Sequence, residues 1–190
     1  MIKDKHSFTQ LAPNLAMGTS GEDKWHPLHE QPLLILVGVT GVGKSTTEAA
    51  LLAQQPALTT LPNRRTLTDW LIIGALQQAD GESIKPVQDR ATRFAYTRRY
   101  RQRHPGGMAY ALSNLLVDVT VSPGPLLFDG LRGENEVTHA ATLLPSAHFL
   151  LLDAPDLVRI CRLLQRRDAF DKVNVALPQT DSRLVAELPE

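Results

Sequence analysis

Residues 33–37, "LLILV", form an unbroken apolar run, and the chain then turns to glycine, lysine and hydroxyls. A run of that length stopped by a turn predicts a strand buried on both faces of a parallel sheet. "KSTTEAALLAQQ" predicts a helix over about 43–53, stopped at Pro56. In "TLTDWLIIGALQQADG" the apolar positions 67, 70, 71, 72, 73, 75 and 76 predict a well-buried helix, with Thr66 and Asp69 opening it and Gly81 closing it. "DRATRFAYTRRYRQRHPGG" predicts a basic helix capped by Asp89 and broken at Pro105. "MAYALSNLLVDVTV" places Met108, Leu112, Leu115, Leu116 and Val119 on one helical stripe.

After the turn-forming "SPGP", "LLFDG" predicts a second buried strand with Asp129 at its carboxyl end, and "AHFLLLDAP" a third. "GENEVTHAATLL" reads as the helix between them, and "PDLVRICRLLQRRD" as a helix with Pro155 in its first turn. Strands alternating with helices predict an α/β fold, a mostly parallel sheet flanked by helices in three layers. Residues 1–31 show no sustained period and read as an irregular leader, with Trp25 and His26 as packing contacts; residues 32–190 form the domain. "KVNVAL" in the tail suggests a last short strand.

Formal net charge is zero, so no global field draws the chain to nucleic acid or an anionic surface, and any basic function must be local. The basic residues are concentrated: 14 of 20 are arginine, and 10 of those fall within 90–103 or 159–167. The single cysteine, Cys161, excludes an internal disulfide framework and multi-cysteine metal sites, and fits a cytoplasmic setting. No segment has the length and composition of a signal sequence or a membrane span, so the expectation is a soluble protein with no membrane partner.

The motif of the chain is "GVTGVGKS", residues 38–45, placed after a predicted buried strand and before a predicted helix. This spacing makes a phosphate-cradling loop. Gly38, Gly41 and Gly43 let successive N–H groups, including those of Thr40 and Val42, converge on an anion. The helix start adds unsatisfied donors and its positive dipole end. Lys44 would bridge terminal phosphates, Ser45 would ligate Mg²⁺, and Thr46 would add a donor to a neighbouring phosphate. Asp129 has the type and place of a second acid that holds the water shell of Mg²⁺. Arg132, Glu134 and Glu136 lie just beyond it, where open α/β sheets bind ligands, although acids in a helix's first turn are stabilising without any ligand.

Arg159, Arg162 and Arg166 share a helical face by their spacing, and such a stripe repels itself unless an anion or acids face it. A phosphate chain in transit would serve, and so would Asp153, Asp156 and Asp168 on a solvated face. No acid interrupts 90–103, where Arg90, Arg93, Arg98, Arg99, Arg101 and Arg103 are interleaved with Phe94, Tyr96 and Tyr100. That suits an anionic acceptor, and less well a nucleic-acid strand. Arg64, Arg65 and Asp69 precede it, where an acceptor group would be oriented or deprotonated, although the turn-like Pro62-Asn63 before them fits surface arginines equally well.

On "GVTGVGKST", "LLFDGLRGENEV" and "FLLLDAPDLVRICRLLQRRDAFD" the chain resembles the P-loop kinases, in particular the nucleoside monophosphate kinase and dephospho-coenzyme A kinase branch. The resemblance covers about a quarter of the chain, and only the first segment is specific by itself. It implies ATP with Mg²⁺ as donor, bound by Gly43, Lys44, Ser45 and Thr46, with Asp129 assisting. It implies a lid helix over about 155–168 with Arg162 and Arg166, and an acceptor-binding segment over about 62–107. Two function classes follow. The first is a kinase whose acceptor, a nucleotide or phosphorylated metabolite, is held by Arg64, Arg65, Arg90, Arg93, Arg98 or Arg99, and Arg132. The second is a nucleotide-dependent ATPase or switch whose basic segment docks a protein or nucleic acid.

Overall fold

The computed structural model describes residues 8–165. Arg166, the end of the expected lid helix and the "KVNVAL" segment lie outside the described residues. Eight strands and seven α-helices follow one another among the described residues: β1 (Thr9–Ala12), β2 (Leu15–Met17), β3 (Trp25–Pro27), β4 (Leu33–Val37), α1 (Lys44–Gln54), β5 (Thr59–Thr60), α2 (Arg64–Leu67), α3 (Gly74–Ala79), α4 (Arg90–Arg103), α5 (Met108–Ser113), β6 (Leu115–Asp118), β7 (Leu126–Leu131), α6 (Gly133–Leu143), β8 (Ala147–Leu151) and α7 (Asp156–Gln165). A π-helical segment, Thr68–Ile73, joins α2 to α3.

Four strands form a parallel sheet in the order β5-β7-β4-β8, flanked by helices. The chain is therefore α/β, as the alternation predicts. In this order the strand feeding the glycine loop, β4, is hydrogen-bonded directly to the strand bearing Asp129, β7. The register shifts between Ile35↔Phe128 and Val37↔Leu131, so β7 carries one extra residue in a bulge at Asp129 and Gly130. β7 runs on to Leu131, so Asp129 lies inside the strand and not at its end.

Two expectations are corrected. Within the supposed irregular leader, residues 8–31 contribute β1, β2 and β3 to a second, antiparallel sheet ordered β1-β2-β6-β3. Leu15 and Leu28 are buried in the same core as Leu33, Ile35 and Phe128, so this segment is built into the domain. Trp25 is buried, with its ring edge-on to Phe8 at 5.3 Å. The single helix expected across 108–119 ends at Ser113, and 115–118 is β6, pairing with β2 and β3. Leu115 and Leu116 satisfy a helical stripe and a strand equally, and the tertiary partner decides.

Caps fix the helices around the site. Asn63 caps α2, accepting from the Thr66 N–H at 3.0 Å, so the helix starts before the expected Thr66 opening. Asp89 caps α4 as expected, accepting from the Thr92 N–H at 2.7 Å and its hydroxyl at 2.6 Å. These bonds hold the Asp89 carboxyl below its usual range, the Thr92 hydroxyl contributing most.

Candidate functional site

The glycine loop leaves β4 at Val37 and enters α1 at Lys44. Gly41 and Gly43 sit at φ 90° and 112°, conformations that side-chain-bearing residues rarely adopt. At Gly38 the constraint is space: a Cβ there would lie 2.7 Å from the Leu152 carbonyl oxygen and 2.8 Å from Val42 Cγ2. Val42 is buried, its side chain close against Gly38. Lys44 donates to the Gly38 carbonyl at 2.7 Å and to that of Val39 at 3.4 Å. Its ammonium thus lies curled within the loop. Ser45 and Thr46 are exposed in the first turn of α1.

α7 rests on this loop. Arg162 Nη1 donates to the carbonyls of Gly41 at 3.1 Å and Val42 at 3.0 Å, and Arg159 Nε reaches that of Thr40 at 3.5 Å. A Cβ on Gly41 would meet the Arg159 carbonyl oxygen at 3.1 Å. Arg159 also pairs with Asp156 at 2.7 Å. Within the stripe, Arg159 and Arg162 are thus faced by peptide oxygens, and Arg159 by an acid as well.

Asp129 is half-buried, and its charge is felt by Glu48, one helical turn beyond Lys44. Burial pushes the Glu48 carboxyl up, Asp129 adds to that, and a hydrogen bond from Thr60 opposes both. Sequence reasoning missed Glu48, because its proximity to Asp129 depends on how α1 lies on β7.

A cavity of about 580 Å³ has six arginines in its wall: Arg64, Arg65, Arg90, Arg93, Arg101 and Arg132. Glu136 lines it too, with Phe94, Ile72 and Met108 supplying apolar surface. Arg132 follows the end of β7 as Gly38 follows the end of β4, and Val37 and Leu131 are paired. The arginine cavity and the glycine loop therefore open from adjacent strand ends, where parallel strands stand about 4.8 Å apart.

Carboxylates hold part of this wall in place. Arg64 makes a two-pronged contact with Glu136, 2.7 and 2.6 Å, and donates to the Gly130 carbonyl at 2.6 Å. Glu136, 5% exposed, also accepts the Arg132 N–H at 3.0 Å. Arg93, 8% exposed, is fixed by Asp69 and by the Val87 carbonyl at 2.9 Å. Arg65 donates to Gln88 at 3.3 Å, and Arg90 lies over the Phe94 ring at 5.3 Å. Buried two-pronged pairs of this kind fix side-chain direction more than they add stability.

Of the expected acceptor residues, the cavity brings together Arg64, Arg65, Arg90, Arg93 and Arg132. Asp69 contributes by orienting Arg93. Arg98 and Arg99 are not in the wall: Arg98 is exposed, and Arg99 pairs with Asp80. Arg101 enters instead, one helical turn beyond Thr97, another wall residue. Among the described residues no three or more His, Cys, Asp or Glu side chains gather as a metal site, and no helix is long and apolar enough to cross a membrane.

No protein-family model matches this chain, and no curated protein matches it. The functional reading rests on the residues and their geometry.

Proposed function

We propose that the chain is a P-loop phosphotransferase of three-layer α/β fold, moving the γ-phosphoryl group of Mg·ATP to a small anionic acceptor. The acceptor class is a nucleotide or phosphorylated metabolite. The observation that carries this reading is the arginine-lined cavity opening from the strand end next to the glycine loop. A hydrolase needs a phosphate cradle and a water; a second anion-binding chamber beside the cradle serves an acceptor.

Each group has a role on this reading. The loop N–H groups and the start of α1 would hold the β- and γ-phosphates, with Lys44 moving from the loop carbonyls onto them. Mg²⁺ would neutralise developing charge, and the donors offered to it, the Ser45 hydroxyl and the Asp129 carboxylate, fit its preference for few protein oxygens beside phosphate and water. Arg162 would exchange loop carbonyls for phosphate oxygens as charge develops in transfer. Arg132 and Arg65 would hold the acceptor's anionic group, against a wall that Glu136 and Asp69 have already oriented.

Incubation with γ-labelled ATP and fractionated anionic metabolites tests this. The reading expects label in a new anion from one fraction, absent with Lys44→Ala. Label found only in inorganic phosphate, whatever the fraction, would contradict it and favour the switch class.

A further inference from the structure

A second cavity, of about 590 Å³, lies on the other side of the α4 and π-helical layer from the arginine cavity. Its chemistry is opposite. Among the described residues its wall contains no Asp, Glu, Lys or Arg, and its polar groups are the hydroxyls and carboxamides of residues such as Thr19, Gln78 and Asn114. Its distinctive feature is a run of rings. His104 stacks on Tyr110 with centroids 4.1 Å apart and planes 10° apart, and it lies 4.7 Å from Tyr100. Burial lowers the His104 pKa, with the Arg103 charge adding to it, so the ring is neutral near pH 7. Burial likewise keeps the Tyr100 hydroxyl protonated.

An uncharged, ring-walled chamber with amide and hydroxyl groups excludes ions by desolvation cost and rewards a flat apolar body with polar edges. The antiparallel sheet gives it one wall, through the β1–β2 hairpin and the turn at Gly18. α4 gives it another. That helix sends Arg93, Thr97 and Arg101 to the arginine cavity and Tyr100 and His104 to this one. The π-helical segment is shared the same way, with Thr68 and Ile72 on one side and Leu71 on the other. Such segments are less regularly bonded than α-helix and recur at functional sites.

We propose that this second cavity binds a flat, uncharged aromatic ring with polar edges, and that its occupancy alters anion binding in the arginine cavity through α4 and the π-helical segment. Both parts stand independently of the phosphotransfer reading, since neither needs turnover.

The test uses the full chain and follows the ring resonances of Tyr100, His104 and Tyr110 by NMR. The probes are benzamide, indole and adenosine, with benzoate as the charged isostere of benzamide. The proposal expects at least one neutral probe to shift these resonances and benzamide to bind about tenfold or more tighter than benzoate. Filling the mouth by Gln78→Trp, at an exposed position, or the wall by Ala75→Phe, should weaken the binding probe about tenfold. With that probe saturating, affinity for inorganic pyrophosphate should change about threefold or more. The site is overturned if no probe shifts the three rings, if benzoate matches benzamide, or if both filled variants bind as the wild type does. An unchanged pyrophosphate affinity overturns the coupling and leaves the site.

Discussion

Arg162 of α7 and the ion-paired arginines of the cavity wall, Arg64 and Arg93, are held by different kinds of acceptor. Arg162 donates to peptide carbonyls of the glycine loop, neutral oxygens whose bonds exchange readily for phosphate, whereas its neighbour Arg159 is paired with Asp156 and reaches the Thr40 carbonyl only at 3.5 Å. Arg64 and Arg93 donate to the carboxylates Glu136 and Asp69, partners that hold the side chains in place whether or not an anion is present. On the proposed function, the first is a latch on the donor side and the second a finished wall on the acceptor side. The difference teaches that a cluster of arginines is read by what opposes each guanidinium, not by their number.

The largest effect that would break this comparison is at the loop itself. Lys44→Ala should lower ADP formation from Mg·ATP about a thousandfold, because the transition state uses that charge more than the ground state does. Unchanged turnover in a folded variant would remove the loop from the chemistry. Next is the latch: Arg162→Ala should lower kcat about a hundredfold while leaving the melting temperature nearly unchanged, since its partners are loop carbonyls at the surface. A melting temperature that falls with kcat would make α7 a structural prop.

The wall should answer the other way. Glu136→Ala leaves the Arg64 guanidinium with only the Gly130 carbonyl and no counter-charge, and the Arg132 N–H without its acceptor, so urea unfolding should register a loss of about 3 kcal/mol. A loss no larger than that of an ordinary surface substitution would mean the pair does not fix the wall. The smallest effect is expected at Arg99→Ala, whose side chain faces Asp80 outside the cavity. Its binding of anionic acceptors, measured by calorimetry, should stay within about twofold of wild type. A larger loss would return Arg99 to the acceptor site.

The glycine loop was legible in the sequence because its geometry is local. The spacing of Gly38, Gly43, Lys44 and Ser45 is itself the geometry of the turn, and Asp89 announces α4 by its own side chain. The arginine cavity depends on partners far along the chain: Arg64 and Glu136 are 72 residues apart, and Arg93 and Asp69 are 24. Helical spacing grouped Arg90 to Arg103 but could not separate Arg93 and Arg101, in the wall, from Arg98 and Arg99, outside it. The antiparallel sheet was missed because β2 and β3 are three residues each, too short to show a period of two. Their identity as strands comes from β6, a segment whose apolar run also fits a helix.

The most direct test of the account is simultaneous measurement of ADP and inorganic phosphate released from Mg·ATP, with and without the stimulating anionic fraction, in wild type and an Arg65→Ala, Arg132→Ala double variant. If the loop and the arginine cavity are two halves of one transfer site, the fraction raises ADP without matching phosphate in the wild type. The double variant then loses that stimulation but keeps its basal ADP release. Stimulation that survives in the double variant, or ADP and phosphate released in equal amounts throughout, would contradict the claim.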